Sequence, residues 1–473
     1  MPLPTIPSGN VFSSLPTGFN VDNSCRFNDG DSAHLTSDFS GTGSSSAAIA
    51  TYSVWIKTST VQTAKATIVS NKDDGSNYLS VRIQDQVLRI QGISPICDLI
   101  SDRKFRDPSA WYHIVMAFDT AQSTASNRIK VWVNNEQITS WSTETYLAED
   151  SELFLTKSDD LEIGQFSDDG SQFFDGYMAE FVCIDGTALT PSSFGEYDDD
   201  SPTIWKPKDV SGLTFGSKGY YLDFEDSAAL GDDKSGNNND FTENNIAATD
   251  SSTDTPTNNF NVMLPIMKQA SNLTFSEGNL AVAWPSANTW RTIYSSIMPT
   301  AGKWYFEAKN TTSNDNFIGM VGEAGVDNTD DSSISAPASA YSLKNDGNKY
   351  NNGSAASYGV STTTNDIIGV AMDLDNGTIW FSKNGTWMNS ATQAEVVAGT
   401  TTNAAYSSIT VGAAYPYGIG ASGKESAGFS FNFGSPPYAI SSGNADGNGY
   451  GNMEYAIPSG YYTLCTKNLA EFG

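Results

Sequence analysis

The feature that most constrains the fold of this chain is a hairpin pattern near its carboxyl end. Residues 366–375 and residues 378–385 are rich in β-branched, aromatic and other apolar side chains, and Asn376-Gly377 lies between them. An Asn-Gly pair flanked by two such runs is the strongest short-range signal for a β-hairpin. The second run itself ends in another such pair, Asn384-Gly385. The sequence therefore predicts an antiparallel hairpin in this region.

Length and composition predict a chain of several β-rich domains. At 473 residues the chain is too long for one hydrophobic core, and length alone predicts roughly two to four domains. Hydrophobic residues make up 38% and charged residues only 17%, a profile that suits short strands joined by polar turns. No long stretch shows sustained helical periodicity. We therefore expect an all-β fold.

The chain is strongly acidic. It has 25 Lys and Arg residues against 54 Asp and Glu residues, which gives a net charge of −29. A surface with this charge repels phosphate groups and argues against nucleic-acid binding. Concentrated salt screens the repulsion between copies, so a salty habitat or divalent cations would suit the protein. Ordinary solubility explains the same charge equally well.

The sequence predicts neither secretion nor membrane insertion. Residues 1–7 lack the basic region and apolar run of a signal peptide, and no segment approaches the ~20 apolar residues that span a bilayer. The four cysteines, at positions 25, 97, 183 and 465, have no metal-ligand spacing. We expect free thiols in a protein folded in a reducing cytoplasm, with a disulfide between Cys25 and Cys183 as the alternative.

The predicted organisation is an extended arm (1–21), a first sandwich (22–205), a polar connector (206–262), a second sandwich (263–435) and a tail (436–473). The connector has too few apolar residues for its own core, so it either wraps on a neighbouring element or stays mobile. The tail either packs back or reaches a partner. Alternating apolar and polar residues predict strands of the first sandwich over residues 53–57, 67–70, 78–83, 87–93, 111–119, 129–133 and 177–185.

The two sandwiches resemble two known families. Residues 52–57 (YSVWIK), 111–119 (WYHIVMAFD) and 174–181 (FDGYMAEF), in this order, resemble a laminin-G-like jelly roll of the concanavalin type. The Asn-Gly hairpin, with residues 302–308 before it and 429–434 after it, resembles the SPRY domain, a β-sandwich that binds partners through its loops. The resemblance implies two tandem antiparallel β-sandwiches that offer binding or assembly surfaces.

Enzymatic interpretations fit the sequence poorly. A serine triad needs a histidine held by a carboxylate, and the chain has only His34 and His113. Apolar residues alternate around His113, so we expect it on the opposite strand face as a structural or solvent-facing side chain. A retaining glycosidase needs two carboxylates about 5 Å apart, whereas Glu180 and Asp185 lie five positions apart, an odd number, and face opposite sides of a strand. We predict that the chain is not an enzyme.

No cofactor is predicted, and a structural calcium ion is the one case that the sequence leaves open. Calcium takes oxygen ligands from loops, and residues 444–449 (NADGNG) imitate the start of a calcium loop. The expected acid, Glu454, comes one place early and flanking helices are missing, so we interpret this segment as a turn. Residues 28–31 (NDGD) form an equally short acidic turn. Laminin-G-like domains often hold calcium at a rim.

Trp380 and Trp387 are the candidate ligand-binding residues. Ile379 and Phe381 share one face of their strand, so Trp380 points to the other face, and Trp387 follows the next turn. An exposed tryptophan can stack on a sugar or anchor a protein contact. The alternative is that Trp380 packs beneath a loop or a neighbouring chain.

Nearly the whole chain also resembles virion structural proteins of marine bacteriophages. The resemblance implies a non-enzymatic virion protein that is assembled in the host cytoplasm and contacts other virion proteins, copies of itself and a host-surface glycan. A tail-fibre or tail-appendage component is the first hypothesis, a head-decorating or head-appendage protein the second and a glycan-active enzyme the third. The segments that carry the resemblance are residues 24–35, 219–226, 235–241, 255–260, 432–438 and 465–469.

Overall fold

The computed structural model of the chain describes residues 18–37, 46–61, 64–74, 77–93, 96–153, 160–166, 170–199, 201–266, 272–326 and 332–473. The chain divides between Thr257 and Asn258 into two compact units, named the first and the second unit. The predicted extended arm lies outside the described residues up to position 17. Its last part is described, and Val21 packs on Trp55 of the first unit.

The first unit is made of short strands joined by polar turns, as the composition predicts. Its strands are β1 (Ser24–Phe27), β2 (His34–Ser37), β3 (Ile49–Thr58), β4 (Ala66–Asp74), β5 (Asn77–Gln84), β6 (Val87–Gly92), β7 (Cys97–Lys104), β8 (Tyr112–Asp119), β9 (Ile129–Val133), β10 (Glu136–Gln137), β11 (Trp141–Thr145), β12 (Asp160–Ile163), β13 (Gly176–Asp185), β14 (Gly195–Tyr197), β15 (Trp205–Pro207), β16 (Tyr220–Leu222), β17 (Thr242–Asn244) and β18 (Ser251–Ser252).

Two antiparallel sheets of the first unit enclose one core. One sheet has the order β10-β9-β8-β3-β13-β1-β18 with β16 paired to β13, and the other has the order β11-β7-β6-β5-β4-β12-β2-β17. Apolar side chains from both sheets, such as Ile56, Val81 and Phe118, belong to the same core. The predicted strands correspond to β3–β6, β8, β9 and β13, so the first β-sandwich is confirmed.

Most of the segment predicted as a connector, residues 206–262, completes the first sandwich. β16 and β18 are strands of one of its sheets and β17 is a strand of the other. Tyr220 belongs to its core. The polar part of this segment is held by hydrogen bonds as well as by the packing of Phe241 in the core, since the Asp233 carboxylate accepts from the backbone N–H groups of Tyr221 and Asn239. Of the two alternatives, wrapping on a neighbouring element is what the structure shows.

The second unit is again mostly strands, with two short helices. None of the helices in the described residues combines the length and the apolar character that crossing a bilayer requires. The elements are β19 (Thr274–Ser276), β20 (Ala281–Ala283), β21 (Arg291–Tyr294), β22 (Lys303–Asn310), β23 (Asn316–Gly322), β24 (Ala340–Lys344), β25 (Asn348–Asn351), β26 (Ser354–Ser357), β27 (Ile367–Asp373), β28 (Thr378–Lys383), β29 (Thr386–Trp387), α1 (Gln393–Ala398), β30 (Tyr417–Gly423), β31 (Gly428–Asn432) and α2 (Thr466–Phe472).

The second unit is also a two-sheet antiparallel sandwich. One sheet has the order β19-β20-β31-β22-β27-β28-β29, and the other has the order β21-β30-β23-β24-β25-β26. Phe306, Ile318 and Val370, which come from both sheets, lie in one core. The expectation of two tandem antiparallel sandwiches is therefore confirmed for the described parts of the chain.

The predicted hairpin is present as β27 and β28, with a turn of four residues, 374–377. Asp373 pairs with Thr378 at the end of the ladder. The Asp373 carboxylate lies within the turn, accepts from the backbone N–H of Asn376 and forms an ion pair of 2.9 Å with Lys303. The buried Asp373 carboxylate thus accepts a hydrogen bond within this turn. The Asn-Gly pair alone did not predict a turn of four residues.

The second Asn-Gly pair forms the two-residue turn between β28 and β29. Lys383 pairs with Thr386 across it, and Asn384 and Gly385 have φ angles of 48° and 77°. Two consecutive positive φ angles identify a type I′ turn, whose twist matches that of the flanking strands. Asn and Gly are the residues that adopt this conformation at least cost.

The predicted tail, residues 436–473, packs back on the second unit. The Asp446 carboxylate accepts hydrogen bonds from the backbone N–H and the hydroxyl of Thr463. The buried Glu307 carboxylate of β22 accepts from the backbone N–H of Tyr455, and burial raises the pKa of Glu307. The tail is therefore an integral part of the second sandwich.

Gly377→Ala tests how closely the hairpin turn is packed. Gly377 has a φ of +65°, and a Cβ there would lie 2.4 Å from the carbonyl oxygen of Ile409. Gly353 has a φ of +72° but open space around its Cβ position, so Gly353→Ala is the matched control. We expect about 1 kcal/mol of lost stability for the control and about 3 kcal/mol for Gly377→Ala, measured as the free energy of urea unfolding. Equal losses would contradict the steric explanation.

Candidate functional site

A cleft of about 730 Å³ opens at the surface of the second unit. Its volume falls within the range of small-molecule pockets, roughly 300–1,000 Å³. Three segments line it: residues 358–360 after β26, residues 383–384 at the end of β28, and residues 386–390 in and after β29. The cleft thus combines parts of the chain that are separated by up to about thirty positions.

The type I′ turn holds one side of the cleft in place. The side-chain oxygen of Asn384 accepts from the backbone N–H of Ile367 at 2.8 Å, and its amide nitrogen donates to Asp366 at 2.7 Å. Because both polar groups of the side chain are bonded, the turn is anchored to the start of β27. β29 therefore leaves the turn at a defined place and carries Thr386 and Trp387 along the cleft.

Buried side chains of the core lie beneath the floor of the cleft. Tyr358 and Met388 are only 6% and 4% exposed and belong to the core of the sandwich. A Cβ on Gly359 would lie 2.2 Å from the sulfur of Met388, so the backbone at Gly359 rests directly on that side chain. Val360 next to it is 60% exposed. The floor is therefore packed tightly, while one wall presents an uncovered apolar side chain.

Trp387 provides a half-buried aromatic wall with a defined orientation. Its Nε1 donates to the side-chain oxygen of Gln393 at 2.7 Å, and the Tyr305 ring meets it edge-on at 6.5 Å between centroids. Gln393 is the first residue of α1. A capping box between Thr392 and Glu395 begins this helix, so the helix start positions the hydrogen-bond acceptor of the indole.

Asn403 forms hydrogen bonds with the floor of the cleft, with its rim and with α1. Its carbonyl oxygen accepts from the Tyr358 hydroxyl and from the Asn389 amide, both at 3.4 Å. Its own amide donates to Glu395 at 2.9 Å, and hydrogen bonds from Thr392 lower the pKa of Glu395. The cleft is therefore formed before any ligand enters, as most ligand sites are.

The charge of the cleft is balanced within the protein. Lys383, the one basic residue among those that line the cleft, lies 2.9 Å from Asp366 and donates to the carbonyl oxygen of Ser361 at 3.0 Å. Burial raises the pKa of Asp366, but hydrogen bonds from Lys383, Thr363 and Asn384 outweigh it and lower the pKa to about 2. The Lys383 cation is thus matched by a carboxylate that stays ionised.

The structure separates the two tryptophans predicted as ligand-binding residues. Trp380 lies on the strand face opposite Ile379 and Phe381, but it is fully buried, and Val396 of α1 and Met453 of the tail cover it. The expected exposure of Trp380 is therefore wrong, because alternation identifies the face of a strand and not what packs on it. The alternative, packing beneath another segment, is what the structure shows. Trp387 lies in the cleft, and its role in binding stays a prediction.

Sequence reasoning missed most of the lining residues. From the sequence alone, Tyr358 and Met388 would be interpreted as core residues. Nothing in their spacing relates them to Trp387. The one available signal is Val360, a lone apolar residue in the polar segment 359–366. The cleft arises where three turns meet, and such a meeting has no periodic pattern in the sequence.

His113 is a structural side chain of the first unit. It is buried, its Nδ1 accepts from Trp205 Nε1 at 2.9 Å, and its Nε2 lies 2.8 Å from the Ser53 hydroxyl. Because Nδ1 is the acceptor, the neutral ring carries its proton on Nε2 and donates to Ser53. Burial also lowers the pKa of His113 to about 3. This histidine therefore does not withdraw a proton from Ser53. The other histidine, His34, lies 2.9 Å from the carbonyl of Ser32.

Glu180 and Asp185 have separate partners in the first unit. Glu180 lies at an irregularity of β13 with a φ of 50°, and its carboxyl accepts from the Tyr221 hydroxyl at 2.8 Å. Asp185 accepts from the backbone N–H of Lys218 at 3.1 Å. The two acids are therefore not the facing pair that a retaining glycosidase needs.

The described parts of the chain contain no group of three or more His, Cys, Asp or Glu residues placed to hold a metal ion. In the calcium-like segment, the Asp446 carboxylate accepts from the backbone N–H groups of Asn448 and Tyr450. Asn28 similarly donates to Asp31 at 2.7 Å within its own short turn. Both acidic segments are thus turns that bond to themselves.

All four cysteines are buried and unpaired. The disulfide between Cys25 and Cys183 that the sequence allowed is not formed in the structure. Burial raises the pKa of the Cys97 thiol to about 12. A thiol in such an environment is protonated at neutral pH and reacts slowly.

Comparisons with known proteins agree with the two-sandwich fold. Residues 28–193 match the concanavalin A-like lectin/glucanase superfamily, and residues 303–416 match the SPRY domain. The crystal structure of the SPRY domain of human HERC1 is similar at 15% identity over 32% of this chain and 87% of that one, with a TM-score of 0.25. No curated protein matches. The chain thus carries a concanavalin-like domain followed by a SPRY domain.

Glu180→Gln tests the buried carboxyl of the first unit. Burial raises the pKa of Glu180 to about 8, although the Tyr221 hydrogen bond opposes this rise. In the unfolded chain the pKa is about 4.3, so the stability that this group contributes is complete below about pH 4 and is lost as the pH rises through about 8. Glutamine stays neutral throughout. We therefore expect the variant to match the wild type near pH 4 and to exceed it by several kcal/mol, at about 1.4 kcal/mol per pKa unit, near pH 8.

The measurement is the free energy of chemical unfolding between about pH 4 and pH 8. Glu136→Gln is the matched control because the Glu136 side chain is 73% exposed. For the control we expect no advantage that grows with pH. A constant difference between Glu180→Gln and the wild type would mean that the carboxyl is not buried as described.

Proposed function

We propose that this chain is a non-enzymatic binding protein that recognises its ligand through the cleft of the second unit. The observation that carries the proposal is the half-buried Trp387 ring, which Gln393 holds at the wall of a preformed cleft. Large aromatic side chains dominate the binding energy of many recognition sites. A ring that is already held in one orientation loses little conformational entropy when a ligand arrives.

The use of the candidate catalytic groups in packing supports a role without catalysis. His113 is held uncharged beside Ser53, and Glu180 is bonded to Tyr221. The two matched domain types act in general through carbohydrate or protein contacts. We therefore assign recognition to the second unit and a scaffold role to the first.

We further propose that the protein is a virion component, most simply of a tail fibre or tail appendage, assembled in the host cytoplasm. The resemblance of nearly the whole sequence to marine phage virion proteins supports this, and the net charge of −29 is of the kind that salt water screens. The cleft would then contact a host-surface glycan or a neighbouring virion protein. A head-decorating protein is the second candidate.

Trp387→Ala tests recognition by the cleft. We expect binding of the purified protein to cells of its host, measured by flow cytometry across a panel of marine bacteria, to weaken at least about tenfold. Tyr197→Ala is the matched control, because Tyr197 is an aromatic residue of the first unit that is 46% exposed. Wild-type binding by Trp387→Ala, or an equal loss in both variants, would overturn the assignment of the cleft.

Two further observations separate the alternatives. A map of the intact particle would place the protein on the tail or on the head. Release of sugar from host polysaccharide by the purified protein would overturn the non-enzymatic role.

A further inference from the structure

The cleft offers a sugar ring two kinds of surface. Its apolar part is made of the Tyr358 and Met388 floor, the Trp387 wall and the exposed Val360. A pyranose ring carries C–H groups on its faces, and such a face packs on an aromatic side chain. The dimensions of the cleft are sufficient for a short oligosaccharide.

The rim of the cleft is polar but uncharged. Thr386, Asn389 and Ser390 are exposed there, and both Asn389 and Ser390 have left-handed backbones, with φ angles of 56° and 59°. Hydroxyl and amide groups donate as well as accept hydrogen bonds. Sugar hydroxyls do the same, so a rim of this composition complements them without any ionic group.

The charge balance disfavours an acidic ligand. The Lys383 cation already has the Asp366 carboxylate at 2.9 Å, so a ligand carboxylate would have to compete with an ion pair inside the protein. The net charge of −29 adds repulsion. A cationic ligand would be repelled by the Lys383 cation. The geometry therefore points to an electrically neutral ligand.

A peptide that binds by strand addition fits this place less well than a sugar. A peptide that adds a strand to a sheet needs an edge long enough for several backbone hydrogen bonds. The edge strand beside the cleft, β29, has only two residues, Thr386 and Trp387. We infer that the cleft binds a neutral sugar, an inference that rests on the proposed function and adds the chemical class of the ligand.

The experiment compares matched neutral and acidic oligosaccharides on the full chain. The probes are short oligosaccharides of glucose, galactose and mannose, and oligosaccharides of the corresponding uronic acids. The indole N–H signal of Trp387 is followed by NMR and assigned with Trp387→Phe. We expect saturable shifts with at least one neutral series and none with its uronic counterpart at the same concentration. Trp387→Ala should weaken neutral binding at least about tenfold, and Trp387→Phe less, because a ring remains.

Thr386→Lys provides an independent test of the charge argument. This substitution places a second cation on the exposed rim, across the strand pair from Lys383. We expect it to bring uronic oligosaccharides to the cleft with an affinity at least about tenfold above that of the wild type, while neutral binding changes little. An unchanged response to uronic acids would contradict the role of charge.

The outcomes separate this inference from the proposed function. Uronic oligosaccharides that bind the wild type at Trp387 as tightly as neutral ones would overturn the inference and leave the cleft as a binding site. Binding of neither series would also overturn the inference, and a loss of cell binding in Trp387→Ala would then indicate a protein ligand. If neither series binds and Trp387→Ala binds cells normally, the proposed function falls as well.

Discussion

The cleft of the second unit depends on the hydrogen bonds of one type I′ turn. Asn384 bonds to Ile367 with one side-chain group and to Asp366 with the other, and Asp366 in turn holds Lys383. This small network fixes where β28 ends and where β29 begins. The position of the Trp387 ring, and with it the shape of the cleft, follows from that turn. A sandwich can thus form a cleft from tight turns, without a long insertion.

Neither sandwich is completed by its two principal sheets alone. In the first unit, residues that follow the jelly roll add β16–β18 to the sheets and Phe241 to the core. In the second unit, α1 and the tail cover the sheet face that carries Trp380. Burial of both faces of these sheets explains why strands such as β13 and β27 are buried along their whole length. It also leaves the turns as the exposed parts of the sandwich that the proposed recognition would use.

The sequence allowed the strands and the tight turns to be predicted because their signals are local. Alternation located β9 to the residue, and the Asn-Gly pairs located both turns because those turns need positive φ angles at Gly377, Asn384 and Gly385. The segments that cover a sheet are distant from it in the sequence, so local patterns do not predict them. The polar segment around Asp233 is held by hydrogen bonds, and these produce no periodic pattern in the sequence. Trp380 was misjudged for that reason.

The cleft was only partly predictable for a related reason. Trp387 was identified as a candidate, but it forms the cleft only together with Tyr358, Val360 and Asn403. The fold brings these residues close to Trp387, and their spacing in the sequence does not indicate this. Resemblance to two families indicated the two domain types, which the family matches support. The virion setting of the protein stays a prediction.

The open space around Gly353 has a practical consequence. The turn that carries it joins β25 and β26, and a Cβ at Gly353 would have no atom within 4 Å, while the backbone N–H of Gly353 donates to the carbonyl oxygen of Ser335 at 2.8 Å. A fluorophore attached to the side chain of Gly353→Cys should therefore leave the sandwich intact, and the four native cysteines are buried and would not compete for it. The native protein could then be followed by microscopy during assembly, without attaching a label to either chain terminus.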